Sequence, residues 1–119
     1  MKNRLILVVS IIFIIGGCAT PNTGYYWENY SGTLYNYKKN PSEKTLTKHI
    51  DMLEKIIQKN EKNGARVPPG IHAELGYLLA KKGEKSLAAN HLEQEIKIYP
   101  ESKNFIERIY LMLDLGSDD

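Results

Sequence analysis

A single cysteine, Cys18, stands among 119 residues, so the chain forms no internal disulfide and holds no thiol pair for redox or zinc chemistry. Phenylalanine occurs twice and tryptophan once, against eight tyrosines. No apolar run reaches the roughly twenty residues that carry a helix across a bilayer. The longest, Leu5 to Ile15, covers about half that distance. No window alternates apolar and polar residues as a half-buried strand would, and no HExxH segment or nucleophile elbow is present.

What stands at the N-terminus is a basic head with Lys2 and Arg4, the apolar run, then Gly16 and Gly17. That is the layout of a secretory signal. Ile15, Gly16, Gly17 and Cys18, within IIGGCATP, resemble the bacterial lipobox, an aliphatic residue and two small ones before a cysteine. The resemblance implies cleavage between Gly17 and Cys18, a diacylglyceryl group on the Cys18 thiol and acylation of the new amino group, palmitate for example. Two or more acyl chains anchor a protein stably, where one does so only marginally. Ala19 follows the cysteine, and the aspartate that marks inner-membrane retention in enteric lipoproteins is not there, so the resemblance points to the periplasmic side of the outer membrane.

Charge then has to be recounted. Sixteen Lys and Arg face 14 Asp and Glu, and loss of Lys2 and Arg4 with the signal makes the two signs equal. A neutral mature chain has no net positive field to drive nucleic-acid binding. The expected organisation is a cleaved signal over 1–17, lipidated Cys18 and a short tether over 18–26, one helical domain over 27–115 and an acidic tail over 116–119.

Helical periodicity dominates the rest. Leu46, Ile50, Leu53 and Ile57 recur at i, i+4, i+7 and i+11, widened by Met52 and Ile56. Ser42 is placed to cap that helix and Gly64 to end it. Pro68 and Pro69 break the chain before a second pair of striped segments, which Gly83 separates and Pro100 closes. A last stripe carries Phe105, Ile109 and Met112 on one face. The fold expected is all-α, about five helices in one small domain.

Leu75, Gly76, Leu79, Gly83, Ala88, Leu92 and Pro100 fall at the spacing of a helix-turn-helix unit of about 34 residues, and in this they resemble a tetratricopeptide repeat. Small Gly76 and Ala88 let two helix backbones approach, Leu75, Leu79 and Leu92 fill the space beside them, and Gly83 supplies a permissive turn. His72 departs from the pattern where a large aromatic is usual, and Glu95 where a small residue is. Trp27, Tyr30, Ser31 and Leu34 echo the first-helix spacing upstream.

The segment GYYWENYSGTLYNYKKNPS holds Tyr25, Tyr26, Tyr30, Tyr35 and Tyr37 beside Trp27, the only tryptophan. Trp27, Tyr30 and Leu34 are expected to cover the Leu46 stripe, while Tyr25, Tyr26, Tyr35 and Tyr37 are candidates for partner binding, since such rings combine contact area with a polar tip. On the closing helix Ile106, Tyr110 and Leu113 are further candidates, because its apolar arc is wider than one packing face needs. Either the tyrosine-rich segment folds back over that helix, or the helix serves self-association or a partner.

With VPPGIHAELGYLLAKKG, the tyrosine-rich run resembles a family of small bacterial lipoproteins catalogued as domain of unknown function 4810. The resemblance implies an envelope role without assigned catalytic residues. Genes of the family often lie beside other lipoproteins, one of them similar to the curli secretion channel, which implies another envelope lipoprotein or a channel protein as partner. The tether from Cys18 to Trp27, about nine residues, spans roughly 30 Å when extended. A partner at the same membrane surface, or a homo-oligomer, fits that reach.

An enzyme is not expected. His72 and Glu74, two apart on a helix, face different directions. His49 lies on an apolar stripe as a hydrogen-bonded residue, and Glu93 and Glu95 read as a solvated face. No metal and no cofactor beyond the covalent lipid is expected.

Overall fold

Local signals set the helix limits. In the structure, a computed structural model that describes residues 24–115, α1 runs Tyr30–Lys39 and α2 runs Glu43–Lys62. Then come α3, Ile71–Lys81, and α4, Lys85–Ile98. A 3-10 turn at Pro100–Ser102 leads into α5, Lys103–Leu113. The expected signal, Cys18, the beginning of the tether and the tail over 116–119 lie outside the described residues.

Ser42 caps α2 as its position implies. Its hydroxyl accepts from the Thr45 amide at 3.2 Å while the Thr45 hydroxyl accepts from the Ser42 amide at 3.0 Å, so two amides at the helix start are satisfied reciprocally. Glu43 in the first turn and Lys59 and Lys62 in the last oppose the helix dipole. Gly64 ends the helix with φ +65°, and Gly83 turns the α3–α4 connection with φ +86°, backbone conformations that disfavour a side chain.

The helices stack in chain order: α1 on α2, α2 on α3, α3 on α4, and α5 against both α3 and α4. The tightest approach is between α3 and α4. A Cβ placed on Gly76 would lie 2.8 Å from Leu92 Cγ and 2.9 Å from the Ala88 carbonyl oxygen. The absence of a side chain at Gly76 is therefore what sets this spacing, and Ala88 and Leu92 are fully buried beside it. One core cluster joins Ile50, Leu53, Ile56 and Ile57 of α2 to Ile71, Leu75, Leu78 and Leu79 of α3. A second joins Ala73 and Leu92 to Ile106 and Ile109 of α5. All regular elements among the described residues are helical, and none of these helices is long and apolar enough to cross a membrane.

Several expectations change here. Trp27 precedes α1 and stays 43% exposed, so it is Tyr30 and Tyr37 that pack against the core to which the α2 stripe belongs. The tyrosine-rich segment packs on α2 and leaves α5 uncovered. Ile106 is fully buried against α3 and α4, while Phe105 and Met112 of the same wide arc stay exposed. Tyr110 and Leu113 are half-buried in the same cluster, and the Tyr110 hydroxyl donates to the Ala89 carbonyl at 3.1 Å. These three residues are packing residues. Glu95, expected on a solvated face, is 3% exposed. Its carboxylate accepts from the Gly70 amide at 2.7 Å and the Ala73 amide at 3.3 Å, so an anion from α4 caps the N-terminus of α3.

Candidate partner-docking groove

Three features could carry function, and each starts from side chains that several helices converge. The first is a polar chain through the α1–α2–α3 contact. The Tyr30 hydroxyl donates to Glu74 Oε2 at 2.7 Å, and His49 Nε2 lies 2.9 Å from Glu74 Oε1. Thr33 Oγ1 lies 2.8 Å from His49 Nδ1. His49 is fully buried, with Tyr37 stacked at 6.2 Å between centroids. Burial alone would raise the Glu74 carboxyl, but the bonds from His49 and Tyr30 outweigh it and hold the group below its ordinary value. Burial and the Glu74 contact push the Tyr30 phenol up.

Hydroxyl, imidazole and carboxylate in sequence resemble a hydrolytic triad. The surroundings are those of a packing seam. Thr33 sits inside α1, its hydroxyl also within 3.1 Å of the Tyr30 carbonyl and its amide bonded to the Asn29 carbonyl. The Thr33 amide is thus taken up by the helix and does not face a reacting oxygen.

The second feature is a histidine pair. His72 Nδ1 and His91 Nδ1 are 2.9 Å apart, with the rings stacked at 5.2 Å. One nitrogen has to donate and the other accept, so a second proton would set two donors against each other. Burial, then the His91 charge, lowers His72 to about 4. Burial also lowers His91, opposed by Glu54 and Glu61. As the spacing implied, His72 and Glu74 reach different partners. Among the described residues no group of three His, Cys, Asp or Glu side chains is placed to hold a metal ion.

The third feature is a groove of about 400 Å³ between α3 and α5. Gly70, Ala73, Glu74 and Tyr77 line one wall, and Phe105, Ile109 and Met112 the other. The shared face of Phe105, Ile109 and Met112 was legible in the sequence, but its exposure was not. Phe105 is 58% and Met112 64% exposed, because α5 leans on α3 through Ile106 and Ile109 and turns its flank outward.

The tyrosine candidates are distributed between anchoring and surface. Tyr35 is exposed, with Lys39 Nζ 5.5 Å from its ring centroid. Tyr37 is half-buried against the core. The Tyr25 hydroxyl lies 3.3 Å from that of Tyr99. Tyr26 is held by its backbone, for Asn60 Oδ1 accepts from its amide at 3.0 Å and Asn60 Nδ2 donates to its carbonyl at 2.9 Å. Sequence reasoning missed Asn60, a polar residue one turn beyond the α2 stripe that reads as surface until the chain before α1 folds over it. Glu28 adds ion pairs to Lys55, at 3.2 Å, and to Lys59.

A family model described as Domain of unknown function (DUF4810) matches residues 25–109. The chain belongs to this family. The match begins at the Tyr25–Tyr26 segment that Asn60 holds and ends at Ile109 in the groove, so the polar chain and the histidine pair lie within the DUF4810 region, and so does the groove except for Met112. No curated protein and no solved structure matches the chain.

Proposed function

We propose that this DUF4810 protein is a lipid-anchored lipoprotein facing the periplasm from the outer membrane, and that it acts as a non-catalytic adaptor in a cell-envelope complex. The observation that carries the adaptor reading is the groove, where Phe105 and Met112 expose apolar surface beside the buried Ile109. Large side chains held in the open on a rigid helix pair are the raw material of a binding hot spot. The lipobox-like run ending at Cys18 supports the anchor, and the close packing of Gly76 against Ala88 and Leu92 supports a tetratricopeptide-like hairpin for α3 and α4.

On this reading the clamp of Asn60 on Tyr26 has a mechanical role. It fixes the point where the tether leaves the domain, so the short segment back to Cys18 holds the domain near the lipid surface. A partner at that surface, another envelope lipoprotein or a channel, is then within reach.

Two measurements test this. Intact mass of the protein from its native cells should show a cysteine carrying acyl chains, and an unmodified thiol would remove the anchor. Cross-linking in native envelopes should trap a specific partner that disappears with Phe105→Ser plus Met112→Ser. A protein that is lipidated yet traps no partner would be a structural coat lipoprotein.

A further inference from the structure

Resting on the adaptor reading, we propose that the α3–α5 groove seats an acidic amphipathic segment of the partner protein. Its apolar side chains lie against Phe105, Ile109 and Met112, and its carboxylates meet Lys81 and Arg108.

Phe105, Arg108, Ile109 and Met112 follow i, i+3, i+4, i+7 and so share one flank of the helix. Ile109 is buried in the second core cluster, while Phe105 and Met112 stand in the open. Apolar surface of this kind gains about 25 cal/mol for each Å² removed from water. A helix laid into the groove would present its own apolar row to these side chains.

Charge chooses among occupants. On the α3 wall Lys81 Nζ lies 5.5 Å from the ring centroid of Tyr77, a lining residue. On α5, Arg108 is exposed between Phe105 and Met112 along the helix, next to the lining residues. From α1, Lys38 adds a positive field felt at Glu74. The groove's carboxylate, Glu74, has each oxygen engaged, by His49 and by Tyr30. Glu107, the acidic residue of α5, lies on a different face and pairs with Lys103 at 3.9 Å. Lys81 and Arg108 therefore bring positive charge beside an apolar lining whose carboxylate, Glu74, is already engaged. A basic segment would meet like charges there, and so would a second copy docking through its own Arg108.

The test uses the full-length lipidated protein in lipid nanodiscs and two synthetic peptides of about fourteen residues. Both carry leucines at i, i+3, i+4 and i+7 and one photo-crosslinking side chain. One has glutamate and the other lysine at the flanking positions. Cross-link sites are mapped by mass spectrometry, and half-saturation is read from the yield as a function of peptide concentration.

The glutamate peptide should label residues between Gly70 and Tyr77 and between Phe105 and Met112. Its half-saturation should lie at least about tenfold below that of the lysine peptide, a difference near 1.4 kcal/mol. Added salt should narrow the gap. Lys81→Glu with Arg108→Glu should invert the order, and Phe105→Ser with Met112→Ser should cut groove labelling about tenfold with the circular dichroism unchanged. Equal labelling by both peptides, labelling elsewhere, or a dimer in sedimentation that Phe105→Ser dissolves would each overturn the proposal. If a native partner is still trapped by the Phe105→Ser, Met112→Ser protein, the groove assignment fails and the adaptor reading stands. If no partner is trapped and no peptide labels, both fail.

Discussion

His49 Nε2 lies 2.9 Å from Glu74 Oε1, and this contact ties the buried middle of α2 to the first turn of α3. With the proton on Nε2 the ring donates to Glu74 and accepts from Thr33, so three helices meet through one imidazole. His49→Leu should cost about 2 to 3 kcal/mol in urea unfolding, because Glu74 keeps only part of its compensation. Adding Glu74→Leu should restore some of that loss. A double-mutant cycle is therefore expected to show coupling of about 1 kcal/mol or more, and simple additivity would mean that the pair is not a unit.

Acid should weaken the fold through the paired histidines. His72 is lowered to about 4 in the folded protein, against about 6.5 for an unfolded histidine. Between those values the unfolded chain binds more protons, so stability rises with pH. It is fully present above about pH 6.5 and drains away as pH falls toward 4, and His91 shifts in the same direction. Thermal midpoints measured across this window should fall, and His72→Phe should flatten that limb.

Gly76→Ala should destabilise by about 1 to 3 kcal/mol. The added methyl would meet the Ala88 carbonyl oxygen at 2.9 Å, a backbone atom that yields only if α3 and α4 move apart. Guanidinium unfolding is the check. A change within about 0.5 kcal/mol would show that the two helices are not held at this spacing.

Asn60→Ala should free the segment before α1. The Tyr26 amide loses its acceptor and the Tyr26 carbonyl its donor, so hydrogen exchange at Tyr26 should accelerate while the α3 and α4 amides stay protected. Global stability should fall by about 1 to 3 kcal/mol, since Asn60 is fully buried and its other bond, to the Ile56 carbonyl, goes with it.

Glu95→Ala should fray the start of α3. Gly70 and Ala73 donate to that carboxylate, and loss of a capping acceptor costs about 1 to 2 kcal/mol. Exchange at these two amides should rise first. Glu95→Gln should recover much of the effect, because the amide oxygen still accepts.

The sequence by itself determined the limits of α2, the breaks around α3 and α4, the apolar stripe of α2, and that Gly76 and Ala88 mark a close approach, but not where α1 begins. Those features follow from backbone conformation and the 3.6-residue period, which neighbours along the chain dictate. The lipobox-like run is legible in the same local way. Tertiary structure alone decided the fate of the polar residues and of α5. Glu95 and Asn60 look like surface in a one-dimensional pattern, and both become buried ligands for backbone groups supplied from 22 to 34 positions away. Ile106 and Met112 are equally apolar in the sequence, yet one is sealed and the other exposed, because the tilt of α5 against α3 and α4 is a long-range packing outcome. Burying an apolar side chain is favourable wherever it happens, so composition cannot say which part of an apolar helix stays open. That choice made the groove.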